Sequence, residues 1–216
     1  MKTETLIHQL AMELRPVKPM GSPVTLFVLW SIGAIVFMTL MVGLTGVRPD
    51  IVAALARPTY VLRLLFMLGI ALLPVYLAFR LSVPAERKRF YEFAPVIAVS
   101  AFLLLFAYLF FVSDGTSRTY TYACVRNVLG FSIPIGLLLC FMLKRAAPLR
   151  SGMVGMMAAL GSVALSSLGT QLICRNEGPL HILVSHFIPV LAACIVGIFI
   201  GRWIFRWDRI APSARV

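Results

Sequence analysis

Long apolar runs separated by short polar connections dominate the chain. Six such runs can be drawn, at about 24–45, 60–80, 93–112, 124–143, 152–173 and 180–203. Each holds roughly 20 residues, and a helix of that length matches a hydrocarbon core about 30 Å thick. Because backbone amides in lipid need partners within their own segment, each run predicts a helix. The pattern predicts an all-α integral membrane protein, a bundle of six transmembrane helices.

The segments outside these runs are short. Residues 1–23 precede the transmembrane domain, 24–203, and residues 204–216 form a basic tail. Apolar side chains recur at helical spacing near the N-terminus, at Leu6, Ile7, Leu10 and Leu14. They predict a short amphipathic helix that ends before Pro16, because proline lacks the amide hydrogen. Such a helix either rests on the lipid surface or docks on a cytosolic partner, and the pattern allows both.

Proline and small residues mark particular helices. Pro74, Pro134 and Pro189 fall inside three of the apolar runs, where they predict kinks. The run 152–173 is rich in glycine, alanine and serine, which let neighbouring helices approach closely. We therefore expect that helix to be central in the bundle, with its small residues serving packing rather than lining a pore.

The basic residues fix the expected orientation. The net charge is +12, yet only 13% of residues are charged and 60% are hydrophobic. Fourteen lysines and arginines lie on the side of the termini and six on the other. The positive-inside rule then places both termini in the cytoplasm. Charge spread over short loops indicates topology and contact with the lipid bilayer, and it does not predict direct binding of nucleic acid.

Two cysteines lie on the side opposite the termini. Cys124 opens the fourth apolar run and Cys174 follows the fifth. Thiols outside the cytoplasm tend to oxidise, which allows a disulfide, whereas thiolates also bind soft metal ions. The residues leave both chemistries open. Cys140 and Cys194 lie well inside apolar runs and are expected to be inert small hydrophobes.

Other side chains near these cysteines offer further chemistry. His181 stands seven residues after Cys174 and is a candidate third metal ligand, although the spacing fits no closed zinc motif. His186 lies about 140° round an α-helix from His181, so regular helical geometry predicts that one ion does not bind both. Arg126 lies two residues from Cys124, where its side chain either extends to the membrane interface or lowers the pKa of the Cys124 thiol. Arg63 has similar alternatives: extension to the interface, or pairing with Asp114, Glu177 or an anion.

Motifs of catalysis are absent from the sequence. It contains no HExxH, no pair of intramembrane aspartates and no glycine-rich phosphate loop. We therefore expect that the protein is not an enzyme. Two alternatives remain, a membrane thiol-redox protein and a small transporter, but the first lacks a CxxC pair and the second lacks acidic residues in its helices.

Several short motifs resemble one family over essentially the whole chain. They are Leu14-Arg15-Pro16-Val17-Lys18-Pro19 before the first helix, a cysteine opening the fourth helix, and Cys174-Arg175-Asn176-Glu177 followed by His181, His186 and Pro189. Together they resemble the NrsF-like membrane-embedded anti-sigma factors.

This resemblance implies a function. A member of the family holds an extracytoplasmic-function sigma factor inactive at the inner membrane and releases it under heavy-metal or oxidative stress. By match, Cys124 and Cys174 would be the sensors. Arg126, His181 and His186 are candidate supporting residues because of their positions near these cysteines. The sigma factor would contact Leu10, Leu14, Arg15, Pro16, Val17 and Pro19. No resident cofactor is implied, only a transient heavy-metal ion at Cys124, Cys174 and His181.

Overall fold

The fold is known from a computed structural model that describes residues 21–82, 122–145 and 150–205, together with isolated positions elsewhere. Every element within these residues is helical. The helices are α1 Pro23–Thr45, α2 Ile51–Leu55, α3 Pro58–Leu81, α4 Tyr122–Lys144, α5 Ser151–Gln171 and α6 Pro179–Ile204. All but the short α2 are long and apolar enough to cross a membrane.

These bounds confirm five of the six predicted helices to within about two residues. The sixth, predicted at 93–112, lies mostly outside the described residues, as do the N-terminal segment and the basic tail. The short helix α2 lies in the connection after α1 and has no counterpart in the apolar pattern. Gly46 ends α1 with a φ of 95°, a left-handed conformation that side chains with a Cβ rarely adopt.

Helix α5 is the centre of the bundle, as its small residues predict. It packs against α1, α3, α4 and α6, and 72% of its most apolar window is buried, against 22–44% for the other spans. Its serines hydrogen-bond to backbone rather than face a channel: Ser162 Oγ donates to Ala158 O at 2.8 Å and Ser166 Oγ to Val128 O of α4 at 2.6 Å. The small residues serve packing.

A glycine seam joins α5 and α6, formed by Gly155 on α5 and by Gly197 and Gly201 on α6. A Cβ added at Gly197 would lie 2.6 Å from Ala159 Cβ and 2.7 Å from Gly155 O. One added at Gly155 would collide with backbone atoms of both facing glycines. Only glycine therefore allows the two backbones to come this close.

The π turn Leu183–Phe187 interrupts the regular geometry of α6. In it the Ile188 N–H donates to Leu183 O, five residues back. Pro189 follows at once and has no N–H with which to continue the α-helical pattern, so the turn before it widens. The distortion predicted at Pro189 is thus a π turn, a feature that occurs frequently at functional sites.

Candidate metal and thiol centre

Two cysteines and two histidines meet at one end of the bundle. Cys124 lies in the first turn of α4, and Cys174 lies three residues beyond the end of α5, where its N–H donates to Thr170 O at 2.9 Å. His181 and His186 come from the start of α6. We call these four residues the Cys/His cluster. One donor atom from each lies within 4.8 Å of every other.

The cysteine sulfurs are close neighbours. Cys124 Sγ lies 3.3 Å from Cys174 Sγ, and the latter lies 3.2 Å from His181 Nε2. The sulfurs are farther apart than a disulfide bond of about 2.05 Å, but within reach of one after a small movement. The two thiols are free and are neighbours in the fold, a proximity that the sequence left open. Both disulfide formation and binding of a thiophilic metal ion remain chemically accessible.

His186 departs from the prediction made on α-helical geometry. The rings of His181 and His186 lie 5.5 Å apart, in an edge-to-face arrangement, and both are buried. The π turn separates them by a hydrogen-bonding period of five residues, so they stand on the same side of α6. The separation of the two histidines expected for a regular α-helix is therefore absent, and a distorted turn brings both rings to one place.

Serine hydroxyls orient both imidazole rings. Ser167 Oγ of α5 donates to His186 O at 3.2 Å and lies 3.5 Å from His186 Nδ1. Because its single proton is used on that carbonyl, its oxygen is left to accept from Nδ1–H. Ser185 Oγ lies 3.4 Å from His181 Nδ1. Neutral rings held by their Nδ1 atoms keep Nε2 lone pairs for a ligand.

Cys174 is electronically prepared for thiolate chemistry. Its pKa is held well below the ordinary value, chiefly because the Cys124 thiol donates a hydrogen bond to its sulfur, with a further contribution from His181. Burial acts in the opposite direction but is outweighed. A thiolate rather than a thiol is the species that attacks oxidants and binds metals.

An ion-pair network fastens the connection after α1 to the Cys174 loop. Arg48 binds Asp50 through Nε at 2.8 Å and Nη2 at 2.6 Å, and its Nη1 lies 2.6 Å from Glu177 Oε1. The same Glu177 oxygen accepts from Arg57 Nη2 at 2.6 Å, and Arg48 N–H donates to Leu172 O. The hydrogen bond from Arg48 lowers the pKa of Asp50 to about 2. The network holds the loop that carries Cys174.

We expect Glu177→Gln to loosen this loop more than Asp50→Asn does. Glu177 holds two guanidinium groups, and the Arg48 side chain is only 2% exposed, so losing the charge leaves a buried cation less well paired. The free energy of unfolding should fall by about 1–2 kcal/mol, since the pair is partly exposed. Asp50 is half exposed, and Glu177 still holds Arg48 without it. Denaturation of the two variants side by side measures the difference, and equal effects would contradict the assignment.

Arg63 is held by neutral groups. Among the described residues it forms no ion pair with Glu177, whose partners are Arg48 and Arg57. It is 8% exposed, Nε donates to Gln171 Oε1 at 2.9 Å, and its guanidinium lies 5.1 Å from the centre of the Tyr60 ring. Tyr60 in turn donates to Gln171 O at 3.0 Å. A neutral amide and an aromatic face take the place of the expected carboxylate, while Asp114 lies outside the described residues.

One of the remaining candidate residues is exposed, and the others lie outside the described part of the chain. Arg126 is exposed, and the residue that lies against the Cys124 sulfur is Cys174. Among the predicted sigma-contacting residues, each one lies outside the described part of the chain: Leu10, Leu14, Arg15, Pro16, Val17 and Pro19. The roles of Ser167, Ser185 and Gln171 were not predicted, because the only signal of these residues in the sequence is a polar side chain within or beside an apolar run.

Comparison with known proteins identifies the family of the chain. Residues 10–207 match the profile of the family described as NrsF, negative regulator of sigma F. The chain belongs to the NrsF family. The resemblance inferred from the short motifs is thereby confirmed.

Two curated relatives in this family align along nearly their whole length. The anti-sigma-F factor NrsF of Caulobacter vibrioides (strain NA1000 / CB15N) is 25% identical over 215 residues, which cover 96% of this chain and 100% of the relative. The probable anti-sigma-F factor NrsF of Azospira oryzae (strain ATCC BAA-33 / DSM 13638 / PS) is 24% identical over 213 residues, with the same coverage. Both are named as regulators rather than as enzymes. No solved structure matches the chain.

Proposed function

We propose that this member of the NrsF family holds an extracytoplasmic-function sigma factor inactive at the bacterial inner membrane and releases it when the Cys/His cluster meets a heavy metal or an oxidant. The single observation that carries the sensing half is the 3.3 Å approach of Cys124 Sγ to Cys174 Sγ. These residues are 50 positions apart in the chain and come from different elements, so a reaction at this point changes the relation between helices. The anti-sigma half rests on family membership.

The distribution of charge supports a topology with sensing on one side and sigma binding on the other. The end of the bundle opposite the Cys/His cluster carries Arg80, Lys144, Arg145, Arg150 and Arg202. By the positive-inside rule that end faces the cytoplasm, together with both termini, and the cluster faces out. The sigma factor would then be held on the basic side.

The helices supply a physical connection between the two sides. The cluster joins the start of α4, the loop after α5 and the start of α6, and each of these helices runs to the basic end. A bond or an ion that draws these three elements together favours one arrangement of the bundle over another. A ligand shifts such an equilibrium only by its differential affinity for the two states. Coupling of about 3 kcal/mol changes sigma occupancy more than a hundredfold.

The proposal predicts a specific partner in native membranes. We expect crosslinking of the tagged full-length chain, affinity purification and mass spectrometry to recover one sigma factor of the extracytoplasmic-function class. The Arg15→Ala/Pro16→Ala variant should lose that partner by tenfold or more, because those residues belong to the segment through which the family resemblance implies sigma contact.

The matched control is Arg175→Ala, which removes an exposed arginine at the opposite end of the bundle and should leave recovery unchanged. Recovery of membrane components alone would overturn the anti-sigma proposal and favour the thiol-redox alternative. Recovery of the sigma factor from both variants would place its contact elsewhere on the basic side, such as the loops after α3 and α4.

A further inference from the structure

The donor set of the Cys/His cluster is chemically selective. Two sulfurs and two imidazole nitrogens are the ligands of closed, tetrahedral zinc sites, and thiolates favour soft ions over the oxygen-binding Mg²⁺ and Ca²⁺. The chain spacing of the four residues matches no zinc motif, since Cys124 lies 50 residues before Cys174. Only the packing of α4 and α6 around the loop after α5 assembles the set.

The dimensions of the cluster fit one metal ion. With metal–sulfur bonds of about 2.3 Å and metal–nitrogen bonds of about 2.0–2.1 Å, the donor atoms of a tetrahedral site lie about 3.3–3.8 Å apart. Here Cys174 Sγ lies 3.2 Å from His181 Nε2 and 3.3 Å from Cys124 Sγ, and no pair of donor atoms exceeds 4.8 Å. Closing on an ion requires adjustments of about 1 Å or less, which side-chain rotation can supply.

The serine hydroxyls next to the two histidine rings also fit a metal site. A metal-bound histidine usually donates its other ring N–H to an oxygen, which fixes the ring and raises its basicity. Ser167 and Ser185 place hydroxyl oxygens 3.5 and 3.4 Å from the Nδ1 atoms of His186 and His181. Neither serine is needed to explain a disulfide. Both serine contacts have a role if the two imidazoles are metal ligands, because each hydroxyl then holds the ring nitrogen that is not bound to the ion.

Charge balance also favours an ion at this place. A divalent ion bound by two thiolates and two neutral imidazoles forms a site of zero net charge, and any thiol proton displaced by the ion leaves to water. A neutral centre costs little in a buried position, whereas a thiolate pair without an ion would be strongly unfavourable. Cys174 is partly exposed at the end of the bundle, so an ion can enter without crossing the core.

We propose that the Cys/His cluster is a closed, four-coordinate site for one thiophilic divalent ion, zinc or cadmium, and that the π turn of α6 supplies its fourth ligand, His186. The regulatory consequence, release of the sigma factor on metal binding, rests on the function proposed above. The binding chemistry itself stands independently. An occupied site also holds both cysteines as metal thiolates, so the bound ion protects them from a thiol oxidant.

Titration of the purified full-length chain in nanodiscs tests the site. With thiols reduced, we expect one Cd²⁺ per chain, reported by a sulfur-to-metal charge-transfer band, and a strong visible spectrum with Co²⁺ that indicates tetrahedral coordination. His186→Gln should weaken Cd²⁺ binding about a hundredfold or more, above the 10–100-fold that loss of an outer-shell partner costs. It should also weaken the Co²⁺ bands. Ser167→Ala should weaken binding about tenfold.

The chain offers a matched control in its third histidine. His8 is exposed and lies far along the sequence from the cluster, so His8→Gln should bind as the unaltered chain does. Thermal unfolding without metal should show His186→Gln to be folded. Unchanged Cd²⁺ affinity and an unchanged Co²⁺ spectrum in His186→Gln would overturn the fourth ligand. Failure of the unaltered chain to bind Cd²⁺ would overturn the site.

Sigma retention distinguishes failure of this site from failure of the proposed function. If the unaltered chain binds no metal but still retains its sigma factor, the metal site is wrong and the anti-sigma function stands. If it binds one ion in tetrahedral geometry but retains no sigma factor, the site stands and the anti-sigma function is wrong. Metal bound with sigma release would support both.

Discussion

A chain carrying Cys124→Ser and Cys174→Ser keeps its sigma factor at the membrane when cells are exposed to cadmium or to a thiol oxidant. The two sulfurs, 3.3 Å apart, are the donors that a disulfide and a thiophilic ion both require. Serine preserves their size but has neither the nucleophilicity of a thiolate nor its affinity for soft metals. We therefore expect induction of the sigma-dependent genes to fall from a hundredfold or so to the basal level, which corresponds to the loss of about 3 kcal/mol of coupling.

Retention without stress should be unchanged in the same variant, since the predicted sigma-contacting residues lie before the first helix. Cys140→Ala/Cys194→Ala is the matched control, because these two cysteines lie inside the spans and outside the Cys/His cluster. It should respond as the unaltered chain does. A reporter gene measured with co-purification of the sigma factor gives both quantities. A normal response from the double serine variant would rule out cysteine sensing.

Gly155→Ala should destabilise the bundle by about 3 kcal/mol, at the upper end of what overpacking usually costs. The added methyl group would meet Gly197 O and the backbone N and Cα of Gly201. Backbone atoms cannot rotate away as a side chain can, so α5 and α6 must separate along the glycine seam. Since α5 is the most buried helix, this separation disturbs the centre of the structure.

Gly130→Ala is the control for this substitution. Gly130 is exposed on α4, and a Cβ there would have nothing within 4 Å. Alanine at either site gains about 1 kcal/mol of helix propensity, so the difference between the variants isolates the clash. Thermal unfolding in nanodiscs measures it. Equal melting temperatures would show that the seam tolerates a methyl group and that the helices are less tightly packed than described.

Much of the fold could be predicted from local patterns. A transmembrane helix is set by a continuous apolar run, and five of the six runs coincide with helices of the structure. The central place of α5 followed from its small residues for a related reason, since close approach depends on side-chain size, which is readable position by position. The resemblance to the NrsF family followed from short motifs and is confirmed along residues 10–207.

Only part of the candidate site could be predicted from local sequence patterns. Charge counting put Cys124 and Cys174 at the same end, and the fold brings their sulfurs together. The hydrogen bond from Arg63 to Gln171 was not predicted, because Gln171 is neutral and lies 108 residues away, so no charge pattern indicated it. The short helix α2 was missed because it crosses nothing and leaves no long apolar run.

The position of His186 is the clearest case of a feature that the sequence does not predict. By itself, the sequence determined the apolar helices, their order, the family and the end of the bundle at which both cysteines lie, because each depends on composition, charge or motifs that are read along the chain. Tertiary structure alone decided that His186 joins His181, since this depends on whether one turn of α6 closes its hydrogen bonds over four residues or five. The Ile188 N–H takes the second arrangement and donates to Leu183 O, and the hydrogen bond from Ser167 Oγ to His186 O holds the widened turn against α5. The hydrogen bonds of the π turn depend on packing against neighbouring helices, and the spacing of apolar residues in the sequence does not predict them.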